Sequence, residues 1–164
     1  MPKLIVVEND KVEGKDTHNV AGTATPPAAP PPTVPFSGTG DFDYKGKMTG
    51  ALSDFVKIDG TPVALTSSKS SLDPGETAPG GGHSGLGGKN YQPAAPNTPT
   101  PATMNLTDPV GEGKPSATAG STFVTVGSTP VLLDADKLDT CGAASAPMNS
   151  TVTAGGQGFV NCSE

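Results

Sequence analysis

Ser53-Asp54-Phe55-Val56-Lys57-Ile58-Asp59-Gly60-Thr61-Pro62-Val63-Ala64-Leu65 and Ser121-Thr122-Phe123-Val124-Thr125-Val126-Gly127-Ser128-Thr129-Pro130-Val131-Leu132-Leu133 are one pattern written twice. Seven of the thirteen positions are identical at a constant offset of 68, no gap is needed, and Lys69 meets Lys137 beyond the aligned stretch. Each copy reads as a strand, a turn and a returning strand. Asp59-Gly60 between alternating apolar segments is a strong hairpin signal, because both central residues of such a turn need positive φ. Pro62 and Pro130 open the returning strands, where a missing N–H is tolerated. Two equivalent hairpins predict a pseudo-symmetric all-β body.

Outside the repeat the signals stay short. Leu4-Ile5-Val6-Val7 reads as a buried strand ended by Asn9-Asp10, with Lys11-Val12-Glu13-Gly14 as its return. This N-terminal hairpin is a candidate third, degenerate unit, although its sequence does not match the other two. A helical turn is expected around Lys47–Leu52. Pro-rich runs at 25–35 and 93–101 favour extended polyproline II structure, the first as a strip laid across a sheet. Gly80 to Gly88 form a Gly-rich loop around His83.

Composition limits the function classes. The 164 residues suit one domain, 1–164, with 33% hydrophobic residues, 22 Gly, 18 Pro and no Trp. Net charge is -6 and every basic residue is Lys, so no phosphate-neutralising basic surface is available and nucleic acid is excluded as a partner. No apolar run approaches the roughly 20 residues that span a bilayer. The apolar stretch at Leu4–Val7 is too short for a signal peptide, so synthesis and assembly in the cytosol are expected.

The strong zinc-ligand inventory is His18, His83, Cys141 and Cys162. Two imidazoles and two thiolates make a complete tetrahedral set for Zn²⁺, with Fe as the runner-up. Each sits beside Gly or Asn in a segment read as a turn, the kind of position that converges at one end of a small β-domain. The alternatives are ordinary surface histidines and a Cys141–Cys162 disulfide. A closed ligand set leaves no open position, so the metal's role is structural, a cross-link of the kind small domains otherwise lack.

From Val124 through Pro130 and Asp134 to Cys141 the order is strand, Gly turn, Pro-led return, Asp, then Cys. With Lys57–Val63, Ser67–Ser70 and Gly81-Gly82-His83-Ser84-Gly85, this order resembles PAAR-like spike-tip proteins of contractile injection systems. The resemblance implies a conical β-domain of short hairpins capping a trimeric spike, with a metal near the apex held by His and Cys. Such sites commonly use three His and one Cys, and this chain has two His. The implied function is structural and non-enzymatic: one copy per particle, at the tip of an assembly delivered outside the cell, sharpens the spike for piercing a membrane it contacts transiently. Effector or toxin proteins are expected as further partners.

Other chemistry is weakly signalled. Asp134, Asp136 and Asp139 lack EF-hand spacing, and a solvated loop is the expected reading. Gly80–Gly88 lacks the Gly-Lys-Ser/Thr ending of a phosphate loop. Ser84 beside His83 lacks the Gly-x-Ser-x-Gly pattern of a nucleophile elbow. A metal-dependent secreted effector or hydrolase would need an open metal position and a general base, and the sequence holds no spare His. A cell-surface β-module is the remaining alternative.

Overall fold

The computed structural model describes residues 1–25, 33–92, 100–108, 112–140 and 148–162. Among the described residues fourteen strands follow in chain order: β1 (Lys3–Leu4), β2 (Lys11–Thr25), β3 (Val34–Gly50), β4 (Lys57–Ile58), β5 (Thr61–Pro62), β6 (Lys69–Leu72), β7 (Lys89–Gln92), β8 (Thr100–Leu106), β9 (Lys114–Pro115), β10 (Thr125–Val126), β11 (Thr129–Pro130), β12 (Lys137–Asp139), β13 (Ser150–Thr153) and β14 (Asn161–Cys162). The described residues contain no helix, so the fold class is all-β as expected. The helical turn expected at Lys47–Leu52 is replaced by the end of β3, which is held against β6.

The two repeated hairpins form as read. β4 pairs with β5 and β10 with β11 in the same antiparallel register, Lys57 opposite Pro62 and Thr125 opposite Pro130. Asp59 (φ 48°) and Gly60 (φ 78°) both adopt the left-handed region at the first tip. A third hairpin of the same register exists, but its two strands come from opposite ends of the sequence: β14 pairs with β1, Asn161 opposite Leu4. The third unit therefore joins residues 157–162 to residues 3–10.

The three strand segments that follow the hairpins close on one another. Val6 N–H donates to Leu132 O (3.0 Å), Leu132 N–H to Ala64 O (2.9 Å), and Ala64 N–H to Val6 O (2.9 Å). These three backbone bonds run head to tail around a pseudo-three-fold axis. The turns after them match as well: Asp10, Ser68 and Asp136 each accept, through a side-chain oxygen, the N–H three residues back, from Val7, Leu65 and Leu133 (2.8–2.9 Å). A short polar side chain capping its own turn explains why Asp and Ser interchange there.

Strand alternation splits this triangular layer into two faces. Ile5, Val7, Val63, Leu65, Val131 and Leu133 pack with Ile58 and Cys162 on the hairpin side. Val6, Ala64 and Leu132 point the other way, joining Val12, Tyr44, Met48, Leu138 and Val152. Around that second core runs a ring of strands, β6-β3-β2-β13-β12-β9. The ring is completed by the paired backbone bonds of Ser70 with Gly113, 2.9 and 3.0 Å, at the start of β9. Strands leaving the triangle (β2, β6, β12) alternate around the ring with strands returning to it (β3, β9, β13). Lys11–Gly14 thus begins the long strand β2, paired with β3 and β13 rather than with Leu4–Val7.

Three unequal excursions leave the triangle: 11–50, 69–115 and 137–153. Beyond the ring, β7 adds to β3 and β8 to β2. There Val20, Ala24, Phe42, Tyr91 and Met104 form a third core cluster. Most of each Pro-rich run (26–32 and 93–99), and with it the expected strip across a sheet, lies outside the described residues.

Candidate metal centre

β2 alternates faces, and Val12, Asp16, His18 and Val20 are buried on the inward one. A strand that buries Val at both ends of this run must also bury the Asp and His between them. Across the ladder Asp16 faces Phe42 and His18 faces Gly40. His18 was expected in a turn; it sits in mid-strand.

His83 arrives from the second excursion. Its loop coils on itself where no side chain would fit: a Cβ on Gly81 would lie 2.3 Å from Glu76 O, and one on Gly87 2.2 Å from Gly81 O. Glu76 holds the loop through His83 N–H to its carbonyl (2.9 Å) and Gly82 N–H to its carboxylate (3.1 Å). The glycines of this Gly-rich loop are what allow one imidazole to enter the interior.

Asp16, His18 and His83 form a buried group whose ligand atoms all lie within 4.8 Å of one another. The three side chains have 0% exposure. Asp16 Oδ2 lies 3.1 Å from His83 Nε2 and 3.7 Å from His18 Nε2. Two ligand atoms each about 2.1 Å from a tetrahedral metal stand about 3.4 Å apart, which these two separations bracket.

The far ring nitrogens fix the tautomers. His83 Nδ1 lies 2.8 Å from the Asp43 carbonyl, which can only accept, so Nδ1 carries the proton. His18 Nδ1 meets the Asp108 carboxylate at 2.9 Å in the same sense. Asp108 is itself held by Asn19 N–H at 3.2 Å. With both Nδ1 atoms committed, both Nε2 atoms turn toward one carboxylate oxygen. Two neutral rings would aim lone pairs at a negative charge in a desolvated interior; a bound cation or extra protons resolve that conflict. An imidazole whose second nitrogen donates to a carboxylate or carbonyl is also the usual form of a metal-ligating histidine.

The electrostatics agree. Burial pushes the His18 pKa down, but its hydrogen bonds to Asp16 and Asp108 and their charges outweigh this and hold it above the ordinary 6.5. Burial raises Asp108, yet the bonds from Asn19 and His18 and the imidazole charge bring it below its ordinary value. The other oxygen of Asp16 accepts from Thr140 Oγ and Asn149 Nδ2, so the third excursion grips the same carboxylate. Thr140 Oγ also lies 2.9 Å from Ser150 Oγ. Aromatic edges wall the group: Phe42 and His83 stand 5.5 and 5.3 Å from His18, and Tyr44 5.7 Å from His83, centroid to centroid.

Of the four expected ligands, His18 and His83 are brought together. Cys162 lies on β14 in the hairpin-side core, at the position equivalent to Ile58, with Sγ 3.1 Å from Ser121 Oγ. It was expected in a turn, and it takes an apolar core position because it belongs to the third hairpin. Cys141 lies outside the described residues; it follows Thr140, whose hydroxyl touches Asp16. Asp16 is the donor that the sequence reading missed, and its signal was Asp16-Thr17-His18 in an alternating strand. The buried Asp/His/His group can hold a metal ion. No protein-family model, curated protein or solved structure matches this chain.

Proposed function

We propose that this chain is a structural, non-enzymatic spike-tip protein, similar to the PAAR-like proteins of contractile injection systems. One copy caps a trimeric spike and sharpens it for passage through a membrane. One observation carries this reading: the head-to-tail bonds among Val6, Ala64 and Leu132, which give a single chain an internal three-fold axis. A monomer with that symmetry matches the end of a homotrimeric shaft, where three identical surfaces meet and one chain must satisfy them all.

The metal group supports the same reading away from the triangle. Asp16 joins the three excursions, through β2, through His83, and through Thr140 and Asn149. A Zn²⁺ there, with Fe²⁺ as the alternative, would bind Asp16, His18 and His83 and tie the excursions to one another between the core cluster of Val12 and Tyr44 and that of Val20 and Phe42. Cys141 is proposed as the fourth donor. Complete burial of the three donors favours a structural ion over a hydrolytic one, which must admit water and substrate.

The test is a cryo-electron-microscopy reconstruction of the assembled particle, refined without imposed symmetry at its tip. One chain seated coaxially on three spike protomers is expected. A tip built from another protein, or this chain found free of any particle, refutes the reading.

A further inference from the structure

The pseudo-symmetry identifies one more set of equivalent residues. In each unit a Phe-Val pair precedes the first hairpin strand: Phe55-Val56, Phe123-Val124 and Phe159-Val160. The backbone confirms the equivalence. Val63 N–H donates to Val56 O (3.1 Å), Val131 N–H to Val124 O (3.1 Å), and Ile5 N–H to Val160 O (3.2 Å). A capping side chain recurs three residues before each Val: Ser53 Oγ, Ser121 Oγ and Gln157 Oε1 accept from Val56, Val124 and Val160 N–H (2.8–2.9 Å).

Val56 and Val160 turn inward against the hairpin-side core. The three Phe rings do the opposite, with 76%, 73% and 64% of their surface exposed. Scattered exposed apolar residues need no explanation. These are not scattered. The chain has five Phe, and three of them occupy one symmetric position, each facing solvent. The third stands outside the repeated sequence, beside Gly158 rather than Asp54 or Thr122.

We infer that Phe55, Phe123 and Phe159 are three matched anchors that enter three identical apolar pockets on the end of a homotrimer, one pocket per protomer. This rests on the spike-tip reading and names the surface by which the cap is held. A partner of other symmetry can fill at most part of the set, whereas a three-fold end meets all three rings at once. Aromatic anchors in desolvated pockets dominate interface energetics, and three tethered contacts reinforce one another.

The experiment places the photo-crosslinker benzoylphenylalanine at position 55, 123 or 159, or at all three, in cells of the source organism. A control carries it at position 86, where Leu86 is exposed on the Gly-rich loop of the second excursion. Each Phe position is expected to trap the same polypeptide, and the triple variant to reach one chain joined to three copies of it, with position 86 silent. With that partner purified, each of Phe55→Ser, Phe123→Ser and Phe159→Ser should weaken binding about tenfold or more, with metal content unchanged. Different products at the three positions, trapping at one alone, or crosslinks to a second copy of this chain would overturn the inference. Trapping of a homotrimer solely at position 86 would overturn it while leaving the spike-tip reading in place. No homotrimer trapped at any position would remove both.

Discussion

Asp16 and His83 lie 67 residues apart in sequence, yet Oδ2 of one stands 3.1 Å from Nε2 of the other in a fully buried setting. Each comes from a different excursion of a pseudo-three-fold chain. Their meeting makes the candidate metal centre a joint between parts of the molecule rather than a local loop motif.

Metal binding should therefore act on the whole fold. Zn²⁺ at about a thousand times its dissociation constant adds about 4 kcal/mol, or roughly 8–16 °C in Tm for a domain of this size. Calorimetry with and without a chelator measures it. An unchanged Tm would separate the site from stability.

The pH dependence should reverse on metal loading. His18 has a raised pKa in the folded state, so in metal-free protein its contribution is complete below its ordinary 6.5 and is lost as pH rises through the raised value. Asp108 is lowered, so its contribution holds above the ordinary carboxylate range and is lost as pH falls. Metal needs neutral imidazole, so the metal-induced rise in Tm should grow from pH 6 to pH 8. Melting curves across that range, with and without Zn²⁺, check the sign.

Asp108→Asn keeps the shape beside His18 Nδ1 and removes the charge. It should lower metal affinity about 10- to 100-fold, read by competition with a chromophoric chelator, while the far-ultraviolet spectrum stays unchanged.

The turn caps should rank by the number of N–H groups they hold. Asp10 accepts from Val7, Gly155 and Gly156, whereas Ser68 accepts from Leu65. Leaving a buried donor unsatisfied costs about 1–3 kcal/mol, which either change does at Val7 or Leu65; Asp10→Ala also frees the Gly155 and Gly156 N–H groups and so should destabilise more than Ser68→Ala in urea unfolding. Equal losses would contradict the bonding pattern.

Much of the fold was legible in residues 53–65 and 121–133, since the hairpin turn, the Pro-led return and the repeat are local signals. Half of the third unit was as well: Leu4–Val7 reads as part of a candidate third unit but with Lys11–Gly14 as its return, because its partner at Asn161-Cys162 stands at the opposite end of the sequence and no continuous window contains both. Lys47–Leu52 was misread as helical because its partner strand β6 lies beyond a hairpin, and tertiary pairing overrides local preference. His18 and His83 were legible as ligand types. Asp16 was hidden among sixteen acidic residues, and only the inward face of β2 sets it apart. Cys162 drew attention as a thiol, while the chain uses that position as it uses Ile58.

Native mass spectrometry of protein purified without added chelator, beside Asp16→Asn, probes the joint most directly. The wild-type chain should carry one divalent ion, and the variant should fold, by its far-ultraviolet spectrum, yet lose that ion. A wild-type chain that stays metal-free after Zn²⁺ is supplied, or a variant that retains its ion, would contradict the assignment of Asp16, His18 and His83 as a metal centre.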